Sequence, residues 1–181
     1  MEEMFDVVIT GAGASGLMCA WQCGRRGKKV LVIEKNEAAG KKILASGNGR
    51  CNFSNLQMRT SCYHGEKDAI TKILQEFPTK KAIELLEEIG ICHKEREGYL
   101  YPYTGQAVTV RDFLVNACKR CGVQFLFETK VAKVVHKNNE FTICAKGGVK
   151  VKADALVLAC GGKANKPCGG DGYNCMERSV L

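Results

Sequence analysis

Gly11, Gly13 and Gly16 stand in the spacing Gly-x-Gly-x-x-Gly. They sit between an apolar run, Phe5 to Thr10 (FDVVIT), and a segment with helical periodicity, Leu17 to Arg26. In that context each glycine has a physical role. Gly11 permits a tight turn, and Gly13 lets backbone approach a pyrophosphate at a helix N-terminus. Gly16 lets helix and strand pack closely. A second apolar run, Val30 to Ile33 (VLVI), ends at Glu34, 23 residues after Gly11. A carboxylate there accepts hydrogen bonds from ribose hydroxyls and repels a 2′-phosphate. The ligand these residues specify is an ADP-containing dinucleotide, FAD or NAD but not NADP.

A second group follows in Gly40-Lys41-Lys42 and Ser46-Gly47-Asn48-Gly49-Arg50-Cys51-Asn52. Its glycines supply positive φ and exposed N–H groups, and its lysines and Arg50 supply charge. Such a loop can wrap the far side of a pyrophosphate or reach a ring system. The segment from Asn36 to Asn55 has neither helical nor strand periodicity, and a loop of that length in a compact domain is usually functional or disordered. No dithiol relay accompanies Cys51. The spacing Cys-x4-Cys would place its partner at position 56, which is Leu, and the next cysteine is Cys62. His64, His93 and His136 show no triad or metal spacing, and no Ser or Cys stands on a nucleophile elbow. No catalytic acid or base and no metal site is identified.

These residues need elements to position them. Strand, glycine turn, helix and strand make a βαβ opening. Two apolar stripes follow, one on Ala69, Ile70, Ile73, Leu74 and Phe77, the other on Ala82, Ile83, Leu85, Leu86 and Ile89. Pro78 separates them and Gly90 ends the second; both read as core faces. Tyr99 to Tyr103 reads as extended. Val108 to Cys121 is helical and closes at Gly122. Val123 to Phe127 is a strand. Val131–His136, Glu140–Ala145 and Val149–Val151 form a short meander, and Asp154–Ala159 is a buried strand before Cys160-Gly161-Gly162. The run from Asp171 to Leu181 reads as a helix.

At 181 residues the chain has room for one full domain and buries roughly 70% of its unfolded surface without disulfide staples. It is 45% apolar and 25% charged, which excludes disorder, and no run approaches a membrane span. An acidic start leading directly into a strand does not fit a secretory signal, so the expected location is cytoplasmic. Its 27 basic and 19 acidic residues give +8. The charge is dispersed in short pairs, which disfavours nucleic acid as a partner. The 11 cysteines sit inside apolar patterns as small buried residues. Cys118-x-x-Cys121 lacks the second pair that a zinc site requires.

The run GKKILASGNGRCNFSN resembles the signature of the BaiN-like, aminoacetone-oxidase-like bacterial flavoproteins. The likeness continues through YPYTGQAVTVRDFL and LVLACGGKANKPCGGDGY. The resemblance implies FAD as cofactor and an α/β, Rossmann-like FAD-binding domain of the two-dinucleotide flavoprotein type, with a parallel sheet and a three-stranded β-meander. The implied activity is flavin-mediated hydride transfer with a small organic substrate, with NAD(P)H as a candidate reductant. A tRNA-modifying type of flavoprotein and a non-catalytic nucleotide-binding fragment are the alternatives.

Carried over by position, Gly11, Gly13, Ala14, Ser15 and Gly16 would hold the pyrophosphate and Glu34 the adenosine ribose, with Lys35 also counted among the cofactor-binding residues. Lys42, Ser46, Gly47, Gly49, Arg50, Cys51 and Asn52 would lie along the pyrophosphate and flavin. Val131 would meet adenine through its backbone, and Ala159, Gly161 and Gly162 would close over the cofactor. Cys160 stands where the family usually has Thr. Family members are longer, so the resemblance implies that residues 1–181 are one FAD/NAD(P)-binding domain. It would lack a substrate-side insert domain and a returning C-terminal segment. Weak FAD binding, little turnover and self-association through uncovered apolar surface are then expected.

Overall fold

A computed structural model describes residues 3–162. The described residues form two compact units. One comprises the chain up to Lys42 and from Leu114 onward; the other is residues 43–113.

The first unit is built on β1 (Met4–Thr10), α1 (Ala14–Gly24), β2 (Val30–Ile33), β6 (Gln124–Leu126), β7 (Val131–Lys137), β8 (Glu140–Ala145) and β9 (Lys150–Leu158). The sheet order is β6-β2-β1-β9-β8-β7. The first four strands are parallel, with Val8 opposite Leu31 on one side and Leu156 on the other. Adjacent residues Val8 and Ile9 are both fully buried, as are all four residues of β2. Burial on both faces is why β2 and the second half of β1 read as continuous apolar runs instead of alternating ones; the expected buried strand Asp154–Ala159 is not buried throughout, with Leu158 40% exposed.

The expected strands Val149–Val151 and Asp154–Ala159 are one strand, β9. Its first half pairs antiparallel with β8, Phe141 opposite Ala153, and its second half pairs with β1. The junction looks polar in sequence because Lys152 is aliphatic only along its stem. Its ammonium meets Glu140 at 2.8 Å. The meander strands β7 and β8 continue the same six-stranded sheet beyond β9. Leu31 and Ile33 on β2 pack in one cluster with Phe5, Ile143 and Val151.

The C-terminal part of α5 (Ala107–Arg120) belongs to this unit. Cys118 is completely buried there and its thiol donates to the Leu17 carbonyl at 3.3 Å. Burial pushes this thiol up to about 12. Exposed Cys62 and Cys92 should therefore react with a thiol reagent near pH 8, while Cys118 stays protected until the protein unfolds. Between the ordinary thiol range and about 12 the native state keeps a proton that the unfolded chain has lost. Stability contributed by this group is thus present below that window and is lost as pH rises through it. Urea midpoints measured across that range check the sign, and Cys118→Ala should flatten the decline.

The second unit holds a three-stranded antiparallel sheet, order β3-β5-β4, from β3 (Ser54–Asn55), β4 (His93–Arg96) and β5 (Tyr99–Pro102). It also holds α3 (Lys67–Glu76) and α4 (Thr79–Ile89). Pro78 stands before the first turn of α4, and Gly90 caps its end at φ 100°. The α3 stripe is not the core face expected of it: no residue of α3 is buried, and Ile73 is 61% and Phe77 41% exposed. The α4 stripe does turn inward, with Ile89 buried and Ala82, Ile83, Leu85 and Leu86 half-buried. Periodicity reports an apolar face and not what covers it. No helix among the described residues is long and apolar enough to cross a membrane.

Candidate functional site

The glycine turn is where the parallel strands end and α1 begins. Gly11 has φ 102°, a left-handed value that glycine adopts at little cost. A methyl group there would lie 2.5 Å from the Ala159 carbonyl oxygen, and one at Gly16 would lie 2.0 Å from the Gly11 carbonyl oxygen. Both glycines are therefore required by backbone packing. Gly13 differs: a methyl group on it would meet nothing within 4 Å. Gly13 precedes α1 and supplies no side-chain cap. The first N–H groups of the helix, on Ala14, Ser15 and Gly16, thus have no intrahelical carbonyl partner. Ala14 and Ser15 are exposed. Open space in front of uncapped N–H groups at a helix N-terminus suits an anionic diphosphate.

Glu34 follows β2 and is 8% exposed. One carboxylate oxygen accepts from the Ala12 N–H at 2.7 Å. The other accepts from the N–H of Asn36 at 2.9 Å and from its side-chain amide at 2.5 Å. Three of about four acceptor positions are filled, so the carboxylate is locked against the glycine turn with one position left for a hydroxyl. Lys35 is half-buried beside it. The linker to β7 returns to this corner, with Glu128 donating to the Asn36 carbonyl and Thr129 to that of Glu34, each at 3.0 Å. Val131, which opens β7, enters two residues later and is half-buried.

At the end of β9, Ala159 donates to the Thr10 carbonyl at 2.8 Å. The Cys160 sulfur lies 3.3 Å from the Thr10 hydroxyl and 3.5 Å from its carbonyl. The sulfur turns inward, so the substitution of Thr by Cys falls on a contact within the fold. Gly161 and Gly162 are exposed at this edge. The structure therefore brings Gly11, Gly13, Ala14, Ser15, Gly16, Glu34, Lys35, Lys42, Val131, Ala159, Gly161 and Gly162 into one unit. Sequence reasoning missed Asn36 and the Ala12 N–H, the two partners that orient Glu34. No spacing pattern marks either.

The remaining predicted residues lie in the second unit. After α2 (Lys41–Ala45), Ser46–Gly49 form tight turns kinked at Gly47 and Asn48, so the segment read as lacking periodicity is in fact folded. Its dihedrals explain why no period shows: Gly47, Asn48, Gly49 and Cys51 all have positive φ. A methyl group at Gly47 would lie 2.6 Å from the Asn52 nitrogen. Cys51 donates its N–H to the Ser46 carbonyl at 3.0 Å. The Asn52 amide, in the orientation that satisfies it, donates to the Leu100 and Ser54 carbonyls at 3.2 and 2.9 Å. Cys51 is buried, and burial pushes its thiol up, away from the range of a reactive thiolate. Arg50 and Gly49 are exposed.

The profile of the HI0933-like protein Rossmann domain matches residues 5–178. The chain is 39% identical over 172 residues to a 3-dehydro-bile acid delta(4,6)-reductase of Clostridium scindens, covering 93% of this chain and 42% of that protein. It is 34% identical over 183 residues to a ribosomal RNA dihydrouridine synthase of Escherichia coli, covering 99% and 45%. The chain thus spans less than half the length of these curated relatives. Among solved structures it resembles a 3-ketosteroid-delta4-(5alpha)-dehydrogenase from Rhodococcus jostii with a TM-score of 0.68 at 16% identity, over 88% of this chain and 46% of that one. It also resembles Thermovibrio ammonificans THI4, with a TM-score of 0.64 at 18% identity, over 98% and 63%. Those two likenesses concern the fold alone. With its glycine turn, locked Glu34 and parallel sheet in place, the chain belongs to the HI0933-like Rossmann-domain family.

Proposed function

We propose that this chain is the FAD-binding portion of an oxidoreductase that acts on a small organic molecule. The observation that carries the reading is the corner formed by Gly13 and Glu34. Open space faces uncapped helix N–H groups, and the buried carboxylate beside it keeps one free acceptor position. The α1 N-terminus binds the diphosphate, Glu34 orients the ribose, and the linker before Val131 borders the adenine. Asn36 and the Ala12 N–H hold the Glu34 carboxylate in place. When bound, FAD supplies the hydride chemistry, and the protein contributes position and electrostatics. The similarity to a bile-acid reductase supports a reductive role on an apolar carbonyl-bearing substrate.

Residues 1–181 act as one cofactor-binding domain in this reading. A substrate-seating region lies in the length that the relatives have beyond this match. The uncovered apolar side chains of α3 favour self-association. A second reading, reduction of an RNA base, is favoured by the similarity to the ribosomal RNA dihydrouridine synthase. It predicts RNA binding that weakens steeply with salt. The dispersed charge and the lower identity place it second. The test is titration of the purified chain with FAD, followed by mass analysis of what stays bound. Retained FAD is expected; a folded chain that retains only NAD would overturn the reading.

A further inference from the structure

Six lysines lie between residues 130 and 152, against one acidic residue, Glu140. In sequence they look scattered, because apolar residues separate them. The β register collects four of them. Lys133 stands opposite Cys144, and Cys144 opposite Lys150. Thr142 has Val135 opposite it on one side and Lys152 on the other, and Lys137 stands opposite Glu140. Residues directly opposite share a face, as do residues two apart on one strand. Lys133, Lys137, Lys150 and Lys152 are therefore on one face of the antiparallel half of the sheet. The other face carries Val134, Ile143 and Val151, all buried. Lys130 and Lys146 add charge at one end of this pairing, where the Lys146 N–H donates to the Lys130 carbonyl at 2.9 Å.

Lysines on an edge strand keep other chains from pairing with it. That accounts for Lys133 and Lys137 on β7, the last strand of the sheet. It does not account for Lys150 and Lys152, which stand on an interior strand, β9. By strand spacing, neighbouring lysines of this face are about 7–12 Å apart at the backbone, comparable to the screening length at physiological salt. Like charges gathered so closely oppose folding. The carboxylates at hand are fewer: Glu140 meets Lys152 at 2.8 Å, and Asp154 follows two residues on. We propose that this face docks the phosphodiester backbone of a nucleic-acid duplex. Val135, Thr142 and Cys144 stand between the lysines. The face thus has no aromatic ring on which an unpaired base could stack and no large apolar side chain to enter a lipid surface. It offers ammonium groups, which serve phosphates as point charges and read no sequence. The face goes beyond the cofactor reading and does not depend on it, since the glycine turn and Glu34 belong to the parallel strands.

The test is fluorescence anisotropy of the whole chain with labelled RNA and DNA duplexes of about 20 base pairs, across 50 to 200 mM salt. Four phosphate contacts predict that log affinity falls against log salt with a slope of roughly −3 to −4. Changing Lys133→Gln, Lys137→Gln and Lys150→Gln together should bring that slope about three units closer to zero and weaken both duplexes at least about tenfold. The urea midpoint of this variant should be no lower than that of the parent, because self-repulsion is relieved. The same three positions changed to Arg should keep the slope. Lys72→Gln, Lys80→Gln and Lys81→Gln together remove equal charge from the second unit and should leave binding as in the parent. Similar affinity for RNA and DNA is expected, and a preference for one identifies the source of the backbone. A parent that binds neither duplex would overturn the proposal. So would a Lys133, Lys137 and Lys150 variant that binds like the parent, or equal losses in the charge-matched control. Tighter binding of a single RNA strand than of the duplex would overturn it too, as would binding to phosphatidylserine-containing vesicles without binding to either duplex. None of these results bears on whether the chain retains FAD.

Discussion

Gly13→Ala and Gly16→Ala, three residues apart on one turn, are expected to fail in opposite ways. At Gly16 the added methyl group would sit 2.0 Å from the Gly11 carbonyl oxygen and 3.1 Å from its carbon. Both are backbone atoms of a turn held by the Gly11 N–H to the Ile33 carbonyl at 2.8 Å, so neither can swing aside as a side-chain end would. The helix must move off the strand. Overpacking of this kind costs about 1–3 kcal/mol, and contact with rigid backbone puts Gly16→Ala at the upper end. For a domain whose total stability is about 5–15 kcal/mol, that is a large fraction. At Gly13 the methyl group meets no protein atom, and φ of −80° is allowed for alanine. Gly13→Ala should therefore fold with a urea midpoint near that of the parent. Its methyl group would occupy the space in which the diphosphate approaches the helix, so ADP affinity should fall at least about tenfold, as for a lost charge-assisted contact. Urea unfolding and ADP titration on the two variants separate the effects. Equal loss of stability in both would mean that the space before Gly13 is not a ligand space.

Glu34→Gln is expected to weaken ADP and FAD binding by about 1–3 kcal/mol, since the acceptor of the ribose hydroxyl loses its charge. The structure adds a second cost. Ala12 and Asn36 approach the two carboxylate oxygens as donors. A glutamine has one oxygen, so its amide nitrogen must face one of those donors inside a buried site. A buried donor left without an acceptor costs about 1–3 kcal/mol, and the urea midpoint of Glu34→Gln should fall along with its affinity. Asn36→Ala separates the two costs. It removes the side-chain amide donor and keeps the backbone N–H and the Glu34 charge, so it should lower affinity through looser orientation of the carboxylate. Glu34→Gln with full affinity for FAD and ADP would remove Glu34 from the site.

The readable parts of this fold are those in which residue type and backbone requirement coincide. Gly11 and Gly16 are demanded by contacts with backbone, and β2 is buried on both faces, so spacing and composition carried them. Gly90 at the end of α4 was legible for the same reason, a left-handed cap. The join of two expected strands into β9 was not. Its continuity depends on pairing with β8 and β1 from opposite sides, and such non-local partners leave no local pattern. The Ser46–Gly49 turn was hidden because left-handed residues interrupt any helical period. The core role expected of Ile73 and Phe77 failed because burial depends on what packs against a stripe. In the site, the glycines and Glu34 were legible. Their support was not, since the Ala12 N–H and the inward-turned Cys160 sulfur belong to the backbone path and to Thr10. The KPCGGDGY stretch and the expected Asp171–Leu181 helix lie outside the described residues.

The FAD titration, run with ADP and with FMN as competitors, tests the central claim most directly. On the proposed reading the glycine turn, Glu34 and the end of β9 hold the adenine and diphosphate half of the cofactor. FAD and ADP should therefore compete for one site, and FMN, which lacks adenosine, should displace neither. Displacement of FAD by FMN, with ADP without effect, would contradict that account and place the anchor on the flavin half.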